Sequence, residues 1–163
     1  MLFQATHKTP IGELFLVSDE HILLGAGFRN FKDLYSRMDV KDSSRESKSV
    51  KNIPIISDLI SDYFDGDLSA IGGIKCRQPG AEFSQEVWKA MRKIPTGKTW
   101  SYADLAARAG SPSAVRAAGT ACAKNLIAPI VPCHRVIKTG GALGNYGYGL
   151  GIKEWLLKHE GAL

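Results

Sequence analysis

The stretch SYADLAARAGSPSAVRAAGTACAK, residues 101–124, reads as two short helices joined by a tight turn. Ser101 has the form of an N-cap, with Asp104 three residues on as its partner, and Gly110 stands where a helix that began at 102 would end at 109. Ser111-Pro112 offers a second cap with proline at the first helical position, so the spacing predicts another helix from 112 through 124. Such a pair is a helix-turn-helix candidate, although helices joined by tight turns also simply pack together. The content of the second helix says more than its existence. Ala114, Ala117, Ala118, Gly119 and Ala121 leave little side chain beyond the backbone, so another surface can approach closely. The helix lacks the Asn, Gln and repeated Arg side chains that read base edges in the major groove. Contact by shape or in a minor groove, with Arg116 as the one long probe, is the functional expectation. Close helix–helix packing uses the same small residues.

Downstream, Val131-Pro132-Cys133-His134-Arg135-Val136 sets a thiol beside an imidazole and a guanidinium. Nearby positive charge, or a histidine able to take the proton, raises the thiolate fraction and with it nucleophilicity. A lone cysteine is also a common inert core residue. The glycine-rich run 140–149 has no Gly-Lys-Ser/Thr ending and follows no Gly-x-Gly-x-x-Gly pattern, which disfavours nucleoside triphosphate chemistry. A helix is expected over 152–159.

Upstream, Phe83, Val87, Trp88 and Met91 recur at helical spacing, and Ile94-Pro95-Thr96-Gly97 ends that run. A domain boundary is expected near 77–80, giving domains 1–79 and 80–163. The amino-terminal part opens as a β-meander with strands over 2–6, 14–17 and 22–28. A helix carrying Phe31, Leu34, Tyr35 and Met38 follows, then a polar run, 41–49, that reads as a flexible loop. A second amphipathic helix carries Ile56, Leu59, Ile60, Tyr63 and Phe64, and 71–76 is expected to return to the sheet.

With 163 residues, 44% apolar and 23% charged, the chain can bury a core. No apolar run reaches the roughly 20 residues that span a bilayer, and the first residues lack a secretory pattern. No membrane association is expected. Cys76, Cys122 and Cys133 form neither a disulfide framework nor a metal-ligand spacing, which points to a reducing setting and no metal. The net charge of +5 is uneven: residues 1–79 hold 10 Lys/Arg and 11 Asp/Glu, whereas 80–163 hold 11 and 5. A basic second half suits a polyanion, or is a solvated basic surface.

Pro132-Cys133-His134-Arg135-Val136, Gly144-Asn145-Tyr146 and the run 153–160 together resemble the O6-alkylguanine-DNA alkyltransferases. Phe83-x-x-x-Val87-Trp88, Ile94-Pro95-x-Gly97, Ser101-Tyr102-x-x-Leu105-Ala106 and Arg116-Ala117-x-Gly119 fall in the same order and spacing. The resemblance implies an α/β protein: a small ribonuclease-H-like amino-terminal domain and a mostly helical carboxy-terminal domain with a winged-helix-like helix-turn-helix. It implies transfer of an alkyl group from O6 of guanine, or O4 of thymine, in double-stranded DNA to Cys133, once per molecule and without a cofactor. His134 would take the thiol proton, with Glu154 orienting the imidazole and Asn125 bracing the turn. Tyr102 would donate to the leaving base. Arg116 would fill the gap left by the flipped nucleotide, with Ala114, Ala118, Gly119 and Arg135 also at the DNA. Tyr146, Gly147, Val136 and the Cys133 backbone would line the base pocket. A monomer is expected, cytoplasmic in a prokaryote and nuclear in a eukaryote. Leu126 and Ala128 depart from the prolines common near these positions and bear on pocket size. Other readings are a non-catalytic lesion binder, which usually lacks the cysteine, a helix-turn-helix regulator without chemistry, and a cysteine hydrolase with turnover.

Overall fold

The computed structural model describes residues 1–163. The chain divides into two compact units: residues 1–79 with 126–130, and residues 80–125 with 131–163. In the first unit, β1 (Leu2–Thr9) and β2 (Gly12–Ser18) form a hairpin, Gly12 taking φ +114 at its turn. β3 (Leu23–Gly27) adds antiparallel to β2. Ala5, Leu14 and Leu16 share one face of the sheet and are buried there, as strand alternation requires, while Leu2 and Val17 are buried on the other face. Asn30 caps α1 (Phe31–Arg37) by accepting from the Asp33 N–H.

Residues 41–49, expected as a flexible loop, are ordered. They contribute α2 (Val40–Ser43) and β4 (Ser47–Ser49), which pairs parallel to β1 and gives the sheet order β3-β2-β1-β4. The backbone ladder does not depend on apolar side chains, so a polar run can still form a short edge strand. Asp42 anchors it, its carboxylate gripped by Arg77 at 2.7 and 2.9 Å. α3 (Ile56–Phe64) buries Ile56, Ser57, Ile60 and Tyr63. The expected return of 71–76 to the sheet reduces to one bridge, Leu23 to Cys76, after a 3-10 turn at Ala70–Gly73. Segment 126–130 departs from the expected continuous second domain. Ala26 N–H donates to Leu126 O and Ala128 N–H to Ala26 O, both at 3.0 Å, while the buried Gln78 side chain accepts from Leu126 N–H.

In the second unit, α4 (Glu82–Met91) buries Val87, Trp88, Ala90 and Met91, and Trp88 Nε1 donates to Ala121 O at 3.0 Å. β5 (Trp100–Ser101) leads into α5 (Tyr102–Arg108), where the capping box of Ser101 and Asp104 is formed. α6 begins later than the sequence predicts, at Val115–Lys124. Residues 111–114 form a turn closed by Ala114 N–H to Ser111 O, which satisfies the backbone that Ser111-Pro112 was expected to cap. β6 (Val136–Ile137) pairs parallel with β5, and α7 (Leu150–His159) closes the chain.

Candidate active site

Cys133 sits at the start of a single 3-10 turn, Cys133–Arg135, directly after Pro132. Asn125, the residue that ends α6, is buried and braces this turn. Its Nδ2 donates to Val131 O at 2.8 Å and reaches Cys133 Sγ at 3.3 Å. One side-chain amide thus ties the end of α6 to the thiol turn. The thiol is half-buried and opens into a cavity of about 610 Å³ walled by Tyr102, Arg116, Gly119, Lys138, Tyr146 and Gly147, among others. Tyr146 meets Tyr148 edge-on with ring centroids 5.7 Å apart, which fixes the aromatic wall.

Behind the thiol lies a fully buried polar cluster. His134 Nε2 is 2.9 Å from Glu160 Oε2, and both side chains have no exposure. Arg135 Nε donates to Glu160 Oε1 at 2.8 Å, Nη2 to Oε2 at 3.0 Å and Nη1 to Ile94 O at 2.9 Å. Burial alone would raise the Glu160 carboxyl; hydrogen bonds from His134 and Arg135 outweigh it and hold the group well below the usual carboxylate range. Burial lowers the His134 pKa despite the Glu160 contact, so the imidazole is neutral. An ionised Glu160 can only accept, which places the ring proton on Nε2 and leaves Nδ1 as the basic nitrogen. Nδ1 makes no hydrogen bond to a protein atom.

The structure corrects three expectations. Glu154 does not orient the imidazole: it is half-exposed and pairs with Lys158 at 3.0 Å. Six residues separate Glu154 from Glu160, which turns them about 240° apart on a helix. The inward face runs Lys153, Leu156, Leu157, Glu160, at i, i+3, i+4 and i+7, so the phase of the buried face selects Glu160 over Glu154. Arg135 is not a DNA contact, because its guanidinium is buried and its donors are committed to Glu160 and Ile94. Ala118 is likewise fully buried and cannot line a groove. On α6 the exposed residues are Val115, Arg116, Ala117, Thr120, Ala123 and Lys124. Ala114 is half-buried, and Gly119 lies against the Tyr102 ring. Val136 is buried, with its carbonyl accepting Lys153 Nζ at 2.7 Å.

Lys153 escaped the sequence reading. It is buried, and Nζ also donates to Asn145 O at 3.3 Å, tying the glycine-rich loop to β6. Burial lowers its pKa, opposed by the Cys133 and Cys122 thiols. Cys122 lines the same cavity, and burial pushes its thiol far up, so it is no nucleophile. Burial, with smaller contributions from the Cys122 and Cys133 thiols, pushes the Tyr102 hydroxyl up to about 12. That phenol stays protonated and able to donate.

Fold and site together define a mixed α/β protein in which a half-buried thiol opens into a cavity beside a helix of small residues. The sequence profile described as "6-O-methylguanine DNA methyltransferase, DNA binding domain" matches residues 82–162. The chain belongs to the methylated-DNA–protein-cysteine methyltransferase family. It is 40% identical to that protein of Salmonella typhimurium, over 99% of this chain and 97% of the relative. It is 39% identical to the Methanosarcina acetivorans protein, over 99% of each. Among solved structures, the Mycobacterium tuberculosis protein in complex with DNA matches with a TM-score of 0.80 at 31% identity, over 98% of this chain and 93% of that one.

Proposed function

We propose that the protein, acting as a monomer, repairs DNA by moving the alkyl group of O6-alkylguanine, and of O4-alkylthymine, onto its own Cys133. The observation that carries this reading is the half-buried Cys133 thiol, braced by Asn125, facing a cavity large enough for a flipped base. In the reaction, thiolate sulfur attacks the methyl carbon, the S–C bond forms and the C–O6 bond breaks with its electron pair moving into guanine. His134 Nδ1 receives the thiol proton, and the Tyr102 hydroxyl donates one to the departing base, so protons balance. Asn125 holds the sulfur, Glu160 fixes the imidazole tautomer, and Tyr146 with the Gly147 backbone hold the base. A thioether has no ready hydrolytic exit, so each molecule reacts once. Arg116 fills the gap in the duplex, with Gly119 permitting close approach.

The element order α4-β5-α5-α6-β6 supports a winged-helix-like reading of the second unit, with parallel strand pairing in place of a hairpin. The strand order β3-β2-β1-β4, with β4 parallel to β1, supports a ribonuclease-H-like reading of the first.

The test is intact and peptide mass spectrometry after incubation with duplex DNA carrying one O6-methylguanine, with Cys133→Ala as control. One methyl group on Cys133, never more than one per molecule, is expected. Tight lesion binding without an adduct would make the protein a damage sensor, and turnover beyond one equivalent would indicate a different chemistry.

A further inference from the structure

A second cleft in residues 80–125, of about 380 Å³, is lined by Lys89, Arg92, Lys93 and Arg108, with Glu86 and Ala90 completing its wall. It shares no residue with the Cys133 cavity. Its single carboxylate, Glu86, meets Lys89 in an exposed pair at 3.4 Å, so one anion faces four cations. Lys93 and Arg108 enter no ion pair. The Arg108 guanidinium instead lies over the Trp100 ring, 4.6 Å from its centroid. Stacking of this kind restrains the long side chain while leaving its N–H donors for a phosphate oxygen. Four like charges in one cleft repel each other, and a polyanion relieves that repulsion while releasing its own counterions.

The cleft also lies away from the surface that carries Arg116. Trp88 fixes the side of α4 that faces α6 through its bond to Ala121 O. Lys89 and Glu86 stand about 100° and 160° around α4 from Trp88, and Lys93 follows in the turn just past its end. Residues 80–163 hold 11 Lys/Arg against 5 Asp/Glu, and this cleft gathers four of those cations.

We propose that this cleft is a second DNA-binding site, independent of any lesion, which takes the phosphodiester backbone of another duplex segment while α6 holds the first. The inference rests on the reading of α6 as the DNA-facing helix. Occupying two segments at once lets a single molecule pass between them without full release, which suits a protein that must search undamaged DNA for rare lesions.

Native mass spectrometry at low salt, using the full chain and two short undamaged duplexes of different mass, tests it. The expected species is one protein with both duplexes, the second leaving with a salt exponent of about −3, for three phosphates neutralised by Lys89, Lys93 and Arg108. Lys89→Glu/Lys93→Glu/Arg108→Glu should hold one duplex only, and should methylate on an O6-methylguanine duplex within about twofold of wild type, as sites that share no partners act independently. Lys89→Gln/Lys93→Gln/Arg108→Gln, checked for folding by circular dichroism, should show the same loss if charge reversal perturbs the fold. A wild-type protein that saturates at one duplex overturns the proposal. So does a variant that keeps the second duplex, or one that loses both. Absence of methyl transfer in the wild type would instead strike the alkyl-transfer reading, with the duplex count still readable.

Discussion

His134 Nε2 and Glu160 Oε2 lie 2.9 Å apart with neither side chain exposed, and the second Glu160 oxygen is held by Arg135 Nε at 2.8 Å. Removing the carboxylate leaves a buried guanidinium uncompensated and frees the imidazole to take either tautomer. Glu160→Gln should therefore cost about 3–5 kcal/mol of stability, the usual result of breaking one side of a buried pair. Methyl transfer should slow as well. Glu154→Gln removes only a solvent-screened pair with Lys158 and should stay within about 0.5 kcal/mol of wild type, with transfer unchanged. Denaturant unfolding and single-turnover transfer on the two variants check this, and a larger loss from Glu154→Gln would reverse the assignment.

The same pair sets a pH dependence. The folded His134 pKa lies below its unfolded value of about 6.5, so below that pH the unfolded chain binds a proton that the fold refuses. Stability falls as pH drops through that window, at up to about 1.4 kcal/mol per pH unit. Glu160, with its folded pKa depressed, adds a second loss in the same direction below about pH 4.3, where the unfolded carboxylate protonates. Calorimetric melting from pH 8 to pH 4 should show a falling midpoint that steepens at the acid end. A midpoint that rises between pH 7 and pH 5 would mean His134 is charged in the fold.

Much of this site was legible in the sequence because its chemistry is local. Cys133 and His134 are adjacent, the Ser101–Asp104 capping box is a four-residue pattern, and the small residues of α6 stand in one run. What failed was long-range assignment of charge. Arg135 carries a cation in a motif beside the thiol, and only the fold reveals that Glu160, 25 residues on, neutralises it inside the core. Glu154 and Glu160 sit on one helix, and choosing between them required the phase of the buried face. Asp42 shows the same limit in the first unit: a polar run looks mobile until a distant arginine, Arg77, is found closing on it.

Arg116 is exposed on α6 at the edge of the Cys133 cavity and enters no ion pair. Arg116→Ala should lower transfer from duplex DNA at least tenfold, since the protein then bears more of the few kcal/mol lost on unstacking a base. Reaction with free O6-methylguanine or its nucleoside, which needs no flipping, should change little. Equal losses on both substrates would place Arg116 in base binding and remove it from the duplex.

Gly144 takes φ +76, and a Cβ built there would stand 3.3 Å from the Tyr102 hydroxyl and 3.4 Å from its Cε2. Gly140, at φ +96, has open space around the same position. Both alanine variants bear the backbone strain of a positive φ, roughly 1–2 kcal/mol. Only Gly144→Ala should also displace Tyr102 and slow transfer, while Gly140→Ala keeps the wild-type rate. Parallel melting and single-turnover measurements separate the two effects, and equal rates would mean that Tyr102 placement does not limit the reaction.

The Lys153 ammonium has two separable roles. It fills the carbonyls of Val136 and Asn145, at 2.7 and 3.3 Å, and places a positive charge near the Cys133 and Cys122 thiols. A thiolate at Cys133 favours the charged lysine, and by reciprocity the ammonium favours the thiolate. Lys153→Met keeps the apolar volume but loses both donors and the charge. Stability should fall by about 1–3 kcal/mol for the carbonyls left unpaired. Alkylation of Cys133 by iodoacetamide at neutral pH should slow, because the ammonium no longer favours the thiolate. Lys153→Arg retains a cation and should preserve more of the thiol reactivity even where the bulkier head disturbs the two carbonyls. A Lys153→Met protein that is less stable but reacts with iodoacetamide at the wild-type rate would confine Lys153 to a structural part.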